Sequence, residues 1–150
     1  SGIYFGDDWR FYNRVDFSDV EHFVIRGGAG NDGIRTGDGN DTVVSGAGND
    51  YLATGKGIDI VDGGTHDTTT GTGGDRWEAD KSFAAAGQDI VIDVTLAGLQ
   101  STYLGTGTVR GIEMLTLKTG AGNDVVRTGA TVVAYTNVHG YDDQIETNDG

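Results

Sequence analysis

The sequence predicts an all-β chain wound into a solenoid of short, stacked, parallel strands. Three observations carry that expectation. Four nine-residue repeats run without a gap from 27 to 62. Glycine supplies 27 of the 150 residues while proline and cysteine are absent. The apolar residues, 36% of the chain, recur in register instead of clustering. Self-similarity at a short fixed period is the mark of a stacked-repeat architecture.

The four repeats read GGAGNDGIR (27–35), TGDGNDTVV (36–44), SGAGNDYLA (45–53) and TGKGIDIVD (54–62). Position two is Gly28, Gly37, Gly46 and Gly55, and position four is Gly30, Gly39, Gly48 and Gly57. Position six is Asp32, Asp41, Asp50 and Asp59, and position eight is Ile34, Val43, Leu52 and Val61. No column breaks. A further copy, TGTGGDRWE (70–78), follows the seven-residue insertion GGTHDTT (63–69) and carries Asp75 and Trp77. TGAGNDVVR (119–127) fits fully, with Gly120, Gly122, Asp124 and Val126. TGATVVAYT (128–136) has Val133 where aspartate belongs, and VHGYDDQIE (138–146) recovers Asp143 but loses both glycines.

The first six residues of a repeat read as a turn, because glycine at two even positions permits positive φ and close backbone approach. The last three alternate polar, apolar, polar, which gives a very short strand with position eight pointing inward. Two repeats running opposite ways make one coil, and stacked coils pair as parallel strands about 4.8 Å apart. A longer period overlies the short one: VEHFVIRGGAGNDGIRTG (20–37) matches IEMLTLKTGAGNDVVRTG (112–129). The parent protein is expected to repeat a unit of that size. The pattern stops in mid-repeat at Gly150, and Ser1-Gly2 reads as a cloning remnant, so an excerpt of a longer chain is expected.

Stacking brings the aspartates together. Asp32 falls beside Asp50, and Asp41 beside Asp59. Two carboxylates about 5 Å apart at an effective dielectric near 20 repel by roughly 3 kcal/mol. The formal charge of −13 adds general self-repulsion. A divalent cation between the carboxylates reverses the sign, and turns that present carbonyl oxygens suit a hard cation with six to eight oxygen ligands. Calcium therefore fits better than magnesium, which dehydrates reluctantly. With no cysteine and no paired histidines, zinc is not expected. The acidity argues against nucleic acid and against anionic membrane surfaces, and no run is long enough to span a bilayer. No signal peptide opens the chain.

GGAGNDGIR resembles the RTX (repeats-in-toxin, haemolysin-type) nonapeptide G-G-x-G-x-D-x-U-x at every defined position. The resemblance is tight over 27–62 and looser over 70–78 and 119–146. It implies a right-handed parallel β-roll with Ca²⁺ held between turns of alternate repeats. Position-six aspartates would give carboxylate oxygens and early turn residues carbonyl oxygens. Carried onto this chain, Asp32 and Asp50 act with Gly28, Gly30, Gly46 and Gly48, and Asp41 and Asp59 with Gly37, Gly39, Gly55 and Gly57. Asp75 completes a site with Asp50 or Asp59, its side of the roll left open by the insertion. Asp124 and Asp143, with Gly120 and Gly122, form another. About four or five ions are expected, each adding about 1.4 kcal/mol at ten times its Kd. Asn31, Asn40 and Asn49 read as turn residues, not ligands.

The rest of the chain divides into an N-terminal β cap (3–26), the first repeat block (27–78), an inserted β segment (79–118) and a second, truncated block (119–150), all in one module. Val15, Phe17, Val20, Phe23 and Ile25 read as inward or cap residues. Trp9, Phe11, Tyr12 and Trp77 read as core or as covers for an open end. The strand-like runs DIVIDVT and IEMLTLK suggest wider coils or a hairpin excursion, and a short helix fits around Lys81–Ala86. His22, His66 and His139 share no spacing with one another or with a nucleophile, and His66-Asp67 reads as a solvated loop pair.

The expected function is a calcium-binding structural module, not an enzyme, since no acid–base cluster is visible. By resemblance it folds on calcium outside the cell, as part of a larger secreted or surface protein exported by a one-step (type I) route. The alternative is a calcium-dependent module that binds carbohydrate or a cell surface, as an adhesin repeat or the accessory part of a polysaccharide-modifying enzyme. A monomeric state within a larger repeat-containing chain is expected.

Overall fold

The computed structural model describes the backbone at 2–5, 13–16, 20–66, 73–95, 100–128, 135–137 and 144–147, and side chains at 20–66, 73–95 and 100–127. The described residues are all-β, with no helix. In chain order the first strands are β1 (Gly2–Phe5), β2 (Asn13–Asp16), β3 (Val24–Arg26), β4 (Gly33–Arg35) and β5 (Thr42–Val44). Then come β6 (Tyr51–Gly55), β7 (Ile60–Asp62), β8 (Arg76–Asp80), β9 (Val91–Asp93) and β10 (Ser101–Tyr103). The last are β11 (Gly107–Arg110), β12 (Met114–Lys118), β13 (Val125–Thr128), β14 (Tyr135–Asn137) and β15 (Gln144–Thr147).

Strands of successive nonapeptides go alternately to two sheets. One runs β14-β12-β8-β6-β4-β1-β2 and the other β10-β11-β7-β5-β3, with a third sheet of β15-β13-β9. The repeat strands pair in parallel, Gly33 with Tyr51 and Thr42 with Ile60, each to its partner two repeats on. Among the described residues, antiparallel pairing is confined to β1 with β2 and β4, and to β10 with β11. Position eight forms the core: Ile34, Val43, Leu52, Val61, Trp77 and Val126 are all buried. Leu115, Ile92 and Val109 join the same rows from outside the nonapeptides, opposite Trp77, Val126 and Val61.

Several expectations outside the repeats change. Phe23 and Ile25 are buried as expected, but Val20 is 40% exposed, because the ladder begins only at Val24. Lys81–Ala86 is not helical. Two short turns cross it, closed by Ala84 N–H to Lys81 O and Gln88 N–H to Ala85 O, because Lys81 turns its side chain into the core and Ala84 is buried after it. The hairpin is present as β10 and β11, but it is no excursion: β11 pairs with β7 in parallel and continues that sheet. Trp77 belongs to the core. Trp9, Phe11, Tyr12, Phe17 and Asp143 lie outside the described residues, and Val15 has only its backbone described.

Candidate metal-binding turns

A position-six aspartate ends its turn just before a strand, and the carboxylates of Asp41, Asp50, Asp59, Asp75 and Asp124 each reach back to the stacked turn before them. Asp32 N–H donates to Asp50 Oδ1 at 2.8 Å, and Asp50 N–H to Asp75 Oδ1 at 2.8 Å. The first pair is 18 residues apart and the second 25, the excess being the seven-residue insertion, and the register of the column is kept across it. Asp75 thus belongs to the Asp32–Asp50 column. That column continues in Glu113, whose Oε2 accepts the Asp75 N–H at 2.8 Å.

The other column starts at Phe23, whose N–H donates to Asp41 Oδ1 at 2.9 Å, and Asp41 N–H donates to Asp59 Oδ1 at 3.0 Å. Here the next carboxylate is replaced by a phenol. Asp59 N–H donates to the Tyr103 hydroxyl at 2.9 Å, and that hydroxyl donates to Asp59 O at 3.0 Å. In the third sheet Ile90 N–H donates to Asp124 Oδ1 at 2.8 Å, so the turn of Gly120 and Gly122 stacks on a segment with isoleucine at the aspartate position.

The second carboxylate oxygen carries the chemistry. Oδ2 of Asp50 and of Asp75 is buried and has no hydrogen-bond partner among the described residues, while the Asp41 carboxyl is hydrogen-bonded by the Thr36 side chain. A buried carboxylate oxygen without a partner is costly, and more so beside like charges. Burial lifts the Asp41 carboxyl above its usual range, and the Asp59 charge adds to the rise. Asp75 is pushed up to about 7 by burial, with the charges of Asp50, Glu113 and Asp62 adding to it. Asp32 Oδ2 accepts from Gly28 N–H at 3.2 Å.

Asp59 solves the same problem with the chain's own cation. Its Oδ2 accepts from Lys81 Nζ at 2.6 Å and from Thr54 Oγ1 at 2.6 Å. Thr54 Oγ1 in turn accepts from Trp77 Nε1 at 3.0 Å. The ammonium also lies 5.6 Å from the Trp77 ring centre and 5.7 Å from that of Tyr103. Burial pulls the Lys81 pKa down, and the Asp59 charge pulls it back.

The glycine columns make the turns stack closely enough to share a ligand. Gly39, Gly48 and Gly57 have φ of 136°, 133° and 131°. A Cβ at Gly46 or Gly48 would stand 2.1 Å from the carbonyl oxygen of Gly28 or Gly30. At Gly55 and Gly57 it would stand 2.4 and 1.9 Å from the oxygens of Gly37 and Gly39. The asparagines tie turn to turn: Asn49 N–H donates to Asn31 Oδ1 at 2.8 Å and Ile58 N–H to Asn40 Oδ1 at 2.7 Å.

Sequence reading missed Glu113, Lys81 and Tyr103. One signal marks Glu113: GIEML (111–115) repeats the glycine–acid–apolar spacing of GIDIV (57–61). No local pattern marks Lys81 or Tyr103. His66, expected to be solvated, instead pairs with Glu113, Nδ1 to Oε1 at 3.1 Å, following Thr65, which is bridged to Ala47 of the stacked turns.

Parallel strands, turns stacked on glycine and rows of buried carboxylates with an unpartnered oxygen define a class of all-β repeat built to take divalent cations, and the donor set of carboxylate and backbone oxygens suits Ca²⁺. The family comparison agrees. The model of the RTX calcium-binding nonapeptide repeat, in four copies, matches residues 24–52, 44–76 and 116–130. No curated protein and no solved structure matches the chain.

Proposed function

We propose that the chain is a structural module that folds on calcium, wound as a right-handed parallel β-roll within a larger secreted or surface bacterial protein. The observation that carries this reading is the buried, unpartnered Oδ2 on Asp50 and Asp75, successive members of one column. Two such oxygens in stacked turns are a liability to the metal-free chain and a ligand set to the metal-bound one.

Asp32, Asp50 and Asp75 would hold ions along one column and Asp41 with Asp59 along the other, with carbonyl oxygens from the glycine turns. Asp124 and Asp143 would supply a further step. The bound ion contributes positive charge that turns repulsion between carboxylates into cohesion. Lys81 already supplies that charge at Asp59, so fewer ions than aspartates are required. The repeat family is a calcium-binding one, and the module is read as a structural and binding part, not an enzyme. A carbohydrate-binding face would want a bare aromatic platform. The Tyr51 ring instead carries the Arg35 guanidinium at 4.7 Å and the Arg76 guanidinium at 5.8 Å.

The test is a calcium titration followed by far-UV circular dichroism, with magnesium as control. A cooperative gain of β signal in calcium alone is expected. The full β signal in chelator at neutral pH would overturn the reading.

A further inference from the structure

We propose that His66, Asp75 and Glu113 form a binding site for a borderline divalent transition ion such as Zn²⁺, at the step where the aspartate column passes to glutamate. One potential ligand atom from each of the three lies within 4.8 Å of the others. Asp75 is fully buried and its Oδ2 lacks a hydrogen-bond partner among the described residues. The site is therefore more than a surface group of acids.

Two glycines keep the space open. A Cβ at Gly63 would stand 2.9 Å from Asp75 Oδ2, and one at Gly74 would stand 3.0 Å from Glu113 Oε2. The histidine is held by its neighbour: Thr65 N–H donates to Gly46 O at 2.9 Å, and Gly48 N–H donates to Thr65 O at 2.9 Å. The backbone that aims His66 is thus locked to the stacked turns. Glu113 is fixed by the Asp75 N–H on Oε2, which leaves Oε1 facing the imidazole. The His66 side chain is 26% exposed, which gives an ion a way in.

The donor type separates this step from its neighbours. Asp32, Asp50 and the glycine turns offer oxygen only, which suits a hard ion. An imidazole beside two carboxylates suits zinc and its first-row neighbours. Counting paired histidines and cysteines along the sequence cannot find it, because its members are spread over 66–113 and two of them are acids.

The whole chain, held in excess calcium, would be titrated with Co²⁺ and followed by its visible absorption, then challenged with Zn²⁺. One Co²⁺ per chain is expected, with a visible band that survives the calcium and is lost to Zn²⁺. His66→Ala should weaken Co²⁺ binding at least about tenfold, the least that even an outer-shell partner of a metal costs. Glu113→Gln, which keeps an acceptor for Asp75 N–H, should weaken it too. His66→Ala should keep the wild-type circular dichroism in calcium. Co²⁺ held equally by His66→Ala, Co²⁺ displaced by calcium, or no Co²⁺ bound would each overturn the site. Dichroism on the same samples reads the calcium reading separately: His66-dependent Co²⁺ binding by a chain whose fold ignores calcium would leave this site standing and remove the other.

Discussion

The Lys81 ammonium lies 2.6 Å from Asp59 Oδ2 with both side chains fully buried. It ends the Asp41–Asp59 column with a cation on a carbon tether. Breaking a buried ion pair from one side leaves the other charge uncompensated, at about 3–5 kcal/mol. Lys81→Met is therefore expected to lower the stability of the calcium-loaded protein by about that amount, measured by urea denaturation. Adding Asp59→Asn should recover most of the loss, and a double variant no better than the single one would contradict the pairing.

Asp50 sits in the middle of its column, accepting from Asp32 and donating to Asp75. Asp50→Asn keeps the Oδ1 acceptor but removes the charge. The calcium midpoint of folding should move to higher concentration, with a stability loss near the 1–2 kcal/mol that one ion contributes. Asp38→Asn is the control: Asp38 is exposed at position three and accepts from Lys56 N–H. Equal midpoints for the two variants would count against the column as the ligand set.

Gly48 combines a φ of 133° with the Gly30 carbonyl in the path of any Cβ. Gly87 has a φ of 88° and nothing within 4 Å of a Cβ. Gly87→Ala should cost about 1–2 kcal/mol, from backbone conformation alone. Gly48→Ala should cost clearly more, because two turns must separate, and should blunt the calcium response. Thermal melts of both variants in calcium make the comparison.

Acid should do part of calcium's work. The Asp75 pKa in the folded chain is raised to about 7 from 3.8, and that of Asp41 is raised as well. The folded chain therefore holds more protons than the unfolded one between those values. Its stability grows as pH falls through the folded pKa and is lost as pH rises through it. In chelator, the β signal should increase between pH 8 and pH 5. The calcium requirement should be steepest above neutrality, since binding needs the ionised carboxylates. A pH-independent spectrum in chelator would show that protonation gives no relief.

The repeat strands, the inward position-eight row and the two aspartate columns were legible because each is set by residues within one nonapeptide. The Asp32–Asp50 and Asp41–Asp59 neighbours follow from counting alone. What ends the columns was not legible. Tyr103 meets Asp59 across 44 residues and Lys81 meets it across 22, and no spacing marks either one. Lys81 also reads as a surface residue, since lysine is buried only when paired. The helix expected over 81–86 failed for the same reason: local propensity favoured it, while a buried ion pair fixed the chain otherwise. The column of Asp75 was undecidable from sequence, because a seven-residue loop can return the chain to either sheet.

The β10–β11 hairpin gives the module a clock. Strand β7 at 60–62 gains its next parallel neighbour only from β11 at 107–110, with the whole of β8, β9 and β10 made in between. The nonapeptide turns pair over 18 residues and close locally. The hairpin must come back over a long stretch of chain, and contacts of long sequence separation are slow to form. On the proposed reading calcium would decide whether the module folds, and the return of this hairpin would set how fast.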